Sequence, residues 1–268
     1  MSKSIPSLAE KQITSLIDGI VNRYLEKAKS KPKANSGNPF VLAILKDFEP
    51  LLHRIHGLKT SLGSELEKIA EIIALNAWGK SNIRRNFNLE VELPQNVFRE
   101  IDTIINSLSN AKALSNYQNE KKQIIKACNN PSKESERHTY QFDLLLEDSS
   151  TSEIVLLEMK GPDPNTTEVP GAKRRLLAGL AWSHFNYGYS KTDSQLAIYY
   201  NNKHPKPYKN PKVHYYFDPN GGILLGKEFW NFLGKSDNTY IELLSIFEEY
   251  GKNNKKRIWE GFSKLVIK

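Results

Sequence analysis

The sequence predicts an α/β protein, with a central mixed sheet flanked by helices and a helical N-terminal part, and three observations predict it. In roughly the first half, apolar residues recur at spacings near three and four, the period of amphipathic helices. From about residue 138 the texture changes to short apolar or β-branched runs, HTYQFDLLL, EIVLLEMK, SQLAIYY and KVHYYF, which turn-rich sequence separates as it separates strands. Between the second and third runs, GAKRRLLAGLAWSHFNY has helical spacing, so the second half reads as a sheet covered by helices.

Taken in order, residues 7–28 place Ile17, Ile20, Val21 and Tyr24 at helical spacing. The segment KSKPKANSGNP, residues 29–39, reads as a solvated linker. A second helical region covers about 40–58, and a third covers about 62–78, with Leu62, Leu66, Ile69, Ala70 and Ile73 on one face. Residues 88–93 alternate as a short strand, and Pro94 suits the first turn of a helix carrying Val97, Ile101, Ile104 and Leu108. Residues 121–128 form one more short helix. Helical patterns return at 227–233, 238–250 and 254–265. No repeat or low-complexity tract marks a boundary, so residues 1–268 read as a single domain: 1–135 mainly helical, 136–268 the sheet and its helices.

An apolar content of 39% is sufficient for a core, and the formal charge of +8 favours a polyanionic partner through counterion release. Cys128 is the only cysteine, which excludes an intrachain disulfide framework and a Cys-rich zinc site. The opening MSKSIPSLAEKQITSL has no apolar run of signal-peptide length, and nothing later has the length of a membrane span, so a cytoplasmic location is expected.

The chemistry concentrates in residues 140–177. Asp143 lies in the first predicted strand, and fourteen residues separate it from Glu158-Met159-Lys160 in the second. Strand side chains alternate between faces, so Glu158 and Lys160 share one face; pairing of the two strands adds Asp143 to the patch. Two carboxylates with open coordination positions suit Mg2+, which keeps several waters and accepts phosphate oxygens. Asp143 and Glu158 are therefore the candidate metal ligands. Lys160 is expected to orient a water or offset developing charge, and to act as a base only if burial depresses its pKa. The plain alternative is a structural Glu158–Lys160 ion pair.

After this strand, GPDPNTTEVPGAKRRLL leads from a polar loop, holding Asn165 and Thr166, into a helix expected to carry Lys173, Arg174 and Arg175 in its first turn. Helix N-termini attract anions, and these residues are expected to bind DNA phosphates. Lys173 is expected to reach toward the site from the sheet-facing side, with Arg174 and Arg175 pointing outward.

This arrangement resembles the PD-(D/E)XK nuclease superfamily, with Asp143 as the first acid and Glu158-Met159-Lys160 as the second half of the motif. Phe142 stands where the motif name has proline. The stretches SLGSELEKIA, 61–70, and EMKGPDPNTTEVPGAKRRLL, 158–177, look like type II restriction endonucleases of the TdeIII family. That resemblance implies a Mg2+-dependent endonuclease acting as a homodimer on a short palindromic site in double-stranded DNA, with a separate protective methyltransferase. It also makes Glu67 a candidate catalytic acid on a helix beside the sheet. Ser64-x-x-Glu67 is equally a capping-box pattern, in which Glu67 bonds only a helix-start N–H.

Two other readings use the same residues: a repair or recombination nuclease, and a DNA-binding protein without catalysis. His53 and His56 have metal-ligand spacing but no third ligand near them in sequence, so surface histidines are expected.

Overall fold

In a computed structural model, residues 3–27, 39–44, 56–110, 113–188 and 191–266 are described. The 29–38 linker and His53 lie outside them. The chain falls into two compact units, each assembled from separated segments: residues 1–77, 200–208 and 226–268 in the first, and 78–199 with 209–225 in the second. The sequence reads as one domain because the division follows no linker; the chain passes between the units several times.

The first unit is helical, with α1 (Ser7–Lys27), α2 (Pro39–Ile44), α3 (His56–Trp78), α8 (Lys227–Leu233), α9 (Thr239–Asn253) and α10 (Lys255–Val266). In α1 the buried face is Ala9, Ile13, Ile17 and Ile20, while Leu8 stays exposed. The turn before α1 is fixed by Glu242 of α9, which accepts hydrogen bonds from the Ser4 and Ile5 N–H groups at 3.0 and 2.8 Å. Gly251 lets α9 approach α2, since a Cβ there would stand 2.3 Å from the Ile44 carbonyl oxygen. Phe40 fills the space beside it, edge-on to Trp230 at 5.8 Å and tilted against Phe247 at 5.0 Å.

The second unit holds a five-stranded sheet in the order β1-β2-β3-β4-β5. The strands are β1 (Ile83–Pro94), β2 (Ser135–Asp148), β3 (Glu153–Lys160), β4 (Lys191–Ile198) and β5 (Ile223–Leu225). The β1–β2 and β2–β3 pairs are antiparallel, and β3–β4 and β4–β5 are parallel. The remaining helices are α4 (Gln95–Ser109), α5 (Tyr117–Cys128), α6 (Glu168–Tyr187) and α7 (Pro211–Tyr216). The parallel β3–β4 pair needs a crossover, and α6 supplies it. Gly179 brings α6 onto the sheet: a Cβ there would lie 2.9 Å from both Leu156 and Phe142.

The mixed α/β architecture matches the expectation from sequence, with three local differences. KVHYYF is the helix α7, because the Asn210 side chain accepts hydrogen bonds from the N–H groups of Lys212 and Val213 and Pro211 occupies the first turn. The fifth strand is Ile223–Leu225, too short to show a period. The strand expected at 88–93 extends over Ile83–Pro94, so the N-terminal part also contributes a long edge strand. No described helix is long and apolar enough to cross a membrane.

Candidate active site

The β2–β3 ladder ends at the Leu144–Leu157 pair, while β2 continues against β1 as far as Ser135. Asp143 and Glu158 are thus the residues at which β2 and β3 part. Asp143 bridges the gap, its Oδ2 accepting a hydrogen bond from the Met159 N–H at 2.7 Å. Lys160 Nζ lies 3.0 Å from Glu158 Oε1 and 3.9 Å from Asp143 Oδ2. The three residues expected to meet do so.

Exposure differs sharply among them. The Glu158 side chain is 2% exposed, against 19% for Asp143 and 25% for Lys160. A carboxylate so buried needs compensation, and Arg175 of α6 adds it: Nη2 donates to Glu158 Oε1, and Nε donates to Oε2 at 3.3 Å. Burial lowers the pKa of the Lys160 ammonium, but the attraction of Glu158 and Asp143 outweighs burial and holds it above the ordinary lysine value. Lys160 is therefore a cation near neutral pH, as its expected electrostatic role requires.

Two carboxylates from adjacent strands fit a Mg2+ ion, which takes one or two protein carboxylates and completes its shell with water and phosphate oxygens. Among the described residues no group of three or more His, Cys, Asp or Glu side chains is placed to hold a metal ion.

The basic cluster on α6 is placed differently from expectation. The helix begins at Glu168, so its first turn is acidic and Lys173, Arg174 and Arg175 fall in the second turn. Each meets a protein carboxylate. Lys173 is 2% exposed and bonded to Glu120 of α5, with its ammonium 5.0 Å from the Phe217 ring centre. Burial lowers its pKa, and Glu120 and Asp218 oppose that. A lysine held in this way does not face a DNA backbone. Arg174 pairs with Asp102 of α4 and stays partly exposed. Arg175, expected to point outward, is the one that reaches the site. The usable signal was the spacing Gly171, Arg175, Gly179, four residues apart on the helix face that Gly179 brings against the sheet. Asn165 and Thr166 are exposed in the loop before α6, and Asn165 donates to Glu168 at 2.9 Å.

Glu67 lies half-buried on α3 in the first unit. Its capping-box reading does not hold, because α3 starts at His56 and both Ser64 and Glu67 are inside the helix, where no free N–H remains to cap.

Two acids and a lysine gathered where two strands part can bind a divalent cation beside a phosphate oxygen. The chain belongs to the type II restriction endonuclease family HinfI, whose model matches residues 6–251. It is 29% identical over 227 residues to the type II restriction enzyme HgiCII of Herpetosiphon aurantiacus, covering 82% of this chain and 80% of that protein. It is 27% identical over 223 residues to the type II restriction enzyme MjaII of Methanocaldococcus jannaschii, covering 76% of this chain. That match spans only 56% of MjaII. The expected assignment to type II restriction endonucleases is met; the matches name HinfI, and neither the TdeIII family nor the PD-(D/E)XK superfamily.

Proposed function

We propose that this chain is a Mg2+-dependent type II restriction endonuclease that hydrolyses phosphodiester bonds of double-stranded DNA at a short palindromic site. The observation that carries the reading is the meeting of Asp143, Glu158 and Lys160 at the point where β2 and β3 part. Asp143 and Glu158 would hold the metal. Bound there, Mg2+ would supply an acidified water and neutralise charge on the scissile phosphate. Lys160, kept protonated by its two acidic neighbours, stabilises negative charge developing on the phosphate oxygens and orients the attacking water by donating to it. Arg175 fixes the Glu158 carboxylate in its rotamer.

Family membership supports action on DNA. A palindromic site implies two copies of the chain related by a twofold axis, so we propose a homodimer, with a separate methyltransferase protecting host DNA. Glu67 remains a candidate acid, and Arg174, Asn165 and Thr166 remain candidate phosphate contacts on exposed or half-exposed positions.

The test is incubation of the purified protein with phage DNA, with and without about 10 mM Mg2+, beside Lys160→Ala. Discrete bands that need Mg2+ and are lost in the variant are expected. Intact DNA under all conditions would reduce the three residues to a structural ion cluster.

A further inference from the structure

We propose that the outward face of the β1–β2 ribbon, carrying Asn86, Asn88, Thr139 and Gln141, reads base edges in the major groove of the recognition site. This rests on the nuclease reading above and locates its sequence specificity.

The two strands pair from Ile83–Leu146 to Pro94–Ser135, well beyond the last residue that β3 covers. One ribbon face is packed: Leu89, Val91 and Leu93 are buried, Phe87 stacks on Phe142 at 5.9 Å, and His138 meets Phe98 of α4 at 4.6 Å. Asn86, Asn88, Thr139 and Gln141 are all exposed and none is apolar, whereas Arg84, on the far side of Asn86, shares the face of Leu145 and Leu156 that α6 covers. Asn88 sits directly opposite Gln141, and Thr139 opposite Glu90. Farther along the same ribbon, Arg137 clasps Glu90 at 2.7 Å and Glu92 at 2.6 Å, so one guanidinium offsets about half the charge of these two carboxylates.

Asparagine is disfavoured in strands, yet two lie in the middle of β1. Asn86 has φ 44°, a left-handed conformation that asparagine tolerates better than most residues. Elsewhere in the same unit, asparagine side chains bond the chain itself: Asn82 donates to Trp78, Asn96 to Ala127 and Asn110 to Asn106. The amides of Asn86, Asn88 and Gln141 make no hydrogen bond among the described residues, so their donors and acceptors are free. Strand stability does not account for them, whereas base readout does. An Asn or Gln amide matches adenine N6 and N7, and a two-stranded ribbon fits the major groove.

Position supports the same occupant. Arg85 and Phe87 pair with Leu144 and Phe142, so Asn86 lies across from Asp143. Asn88 and Gln141 lie two residues farther along, about 7 Å at the strand rise. That equals about two base steps of duplex DNA, so a duplex lying along the ribbon would place the bases read there about two steps from the position of Asp143.

The experiment starts from the ends of DNA cut by the wild-type protein, whose sequences give the site. Binding is then measured, with Ca2+ replacing Mg2+, to a duplex containing that site and to duplexes with each single base-pair substitution. Wild type is set beside Asn88→Ala and Gln141→Ala, whose side chains are exposed and unbonded, with circular dichroism checking that both variants fold as wild type does. Each variant is expected to lose roughly tenfold or more of the wild-type preference at one or two base pairs, with affinity for the substituted duplexes nearly unchanged. Preference retained at every position, or affinity weakened equally for all duplexes, would overturn the proposal. A change of oligomeric state in the variants would overturn it as well, showing that the ribbon joins two copies of the chain. Wild-type protein that leaves DNA uncut and prefers no duplex would overturn the nuclease reading beneath it.

Discussion

Arg175 and Glu158 meet as a two-pronged pair, with Nη2 donating to one carboxylate oxygen and Nε to the other at 3.3 Å, so a residue of the crossover helix holds an acid of the strand before it. Lys160 is the second cation at Glu158, 3.0 Å away. Arg175→Ala leaves a buried carboxylate with one cation in place of two. The expected loss of stability is about 1–3 kcal/mol, below the cost of stripping a buried charge of every partner. Arg175→Lys, which keeps the charge but not the fork, should fall between. Urea denaturation of the three proteins measures the order; equal stability would mean that the pair contributes nothing.

Lys173 and Arg174 are adjacent in sequence but should respond differently. Lys173→Met removes a cation from a buried pair with Glu120, so it should lower stability and leave the salt dependence of DNA binding unchanged. A phosphate contact at Arg174 would instead appear as a loss of about one from the slope of log affinity against log salt in Arg174→Ala. The comparison is a binding titration between about 50 and 200 mM salt. A reduced slope for Lys173→Met would contradict its burial.

Asp193, at the start of β4, gives the pH prediction. Burial pushes its carboxyl up to about 6, partly opposed by a hydrogen bond from the Ser194 N–H. The folded state therefore binds the proton more tightly than the unfolded chain does. Its contribution falls as pH rises from the unfolded value of 3.8 toward 6, and the full cost is present above 6. Asp193→Asn removes that cost. The variant should match wild type near pH 4 and exceed it by about 1–2 kcal/mol at pH 7.5, a figure reduced because the side chain is about one-third exposed. Urea midpoints at several pH values decide it, and a gap that does not widen with pH would show that the Asp193 carboxyl is not raised.

Gly179→Ala sets two effects against each other. The helix gains about 1 kcal/mol in propensity, while the new methyl meets Leu156 and Phe142 at 2.9 Å in a fully buried layer. Overpacking of that kind costs about 1–3 kcal/mol, so net destabilisation is expected. Gly251→Ala should cost more, because its obstruction is the Ile44 backbone and not a side chain able to turn. Thermal melts of both variants test the order.

The core of the site was legible because strand periodicity is rigid: Glu158 and Lys160 two residues apart had to share a face, and they are within ion-pair distance. The partners on α6 were not legible. Lys173 is buried as expected, but against Glu120 of α5, and Arg175 lies on the helix face of Gly179, which meets the sheet. The acids that meet Lys173 and Arg174 lie 53 and 72 residues away in the chain, a separation that no local pattern encodes. KVHYYF carries strand-forming residues, yet an asparagine and a proline just before it supply a helix cap and first turn that override them.

The three cations of the second turn of α6 go to three different elements: Lys173 to α5, Arg174 to α4 and Arg175 to β3. Much of the basic character of that helix is thus spent inside the protein, and the charge that draws DNA must come from elsewhere on the surface. The same arrangement constrains inheritance. A replacement at position 120 or 102 leaves a neighbour on α6 without its counter-ion, so in divergent relatives positions 120 with 173 and 102 with 174 should change in pairs.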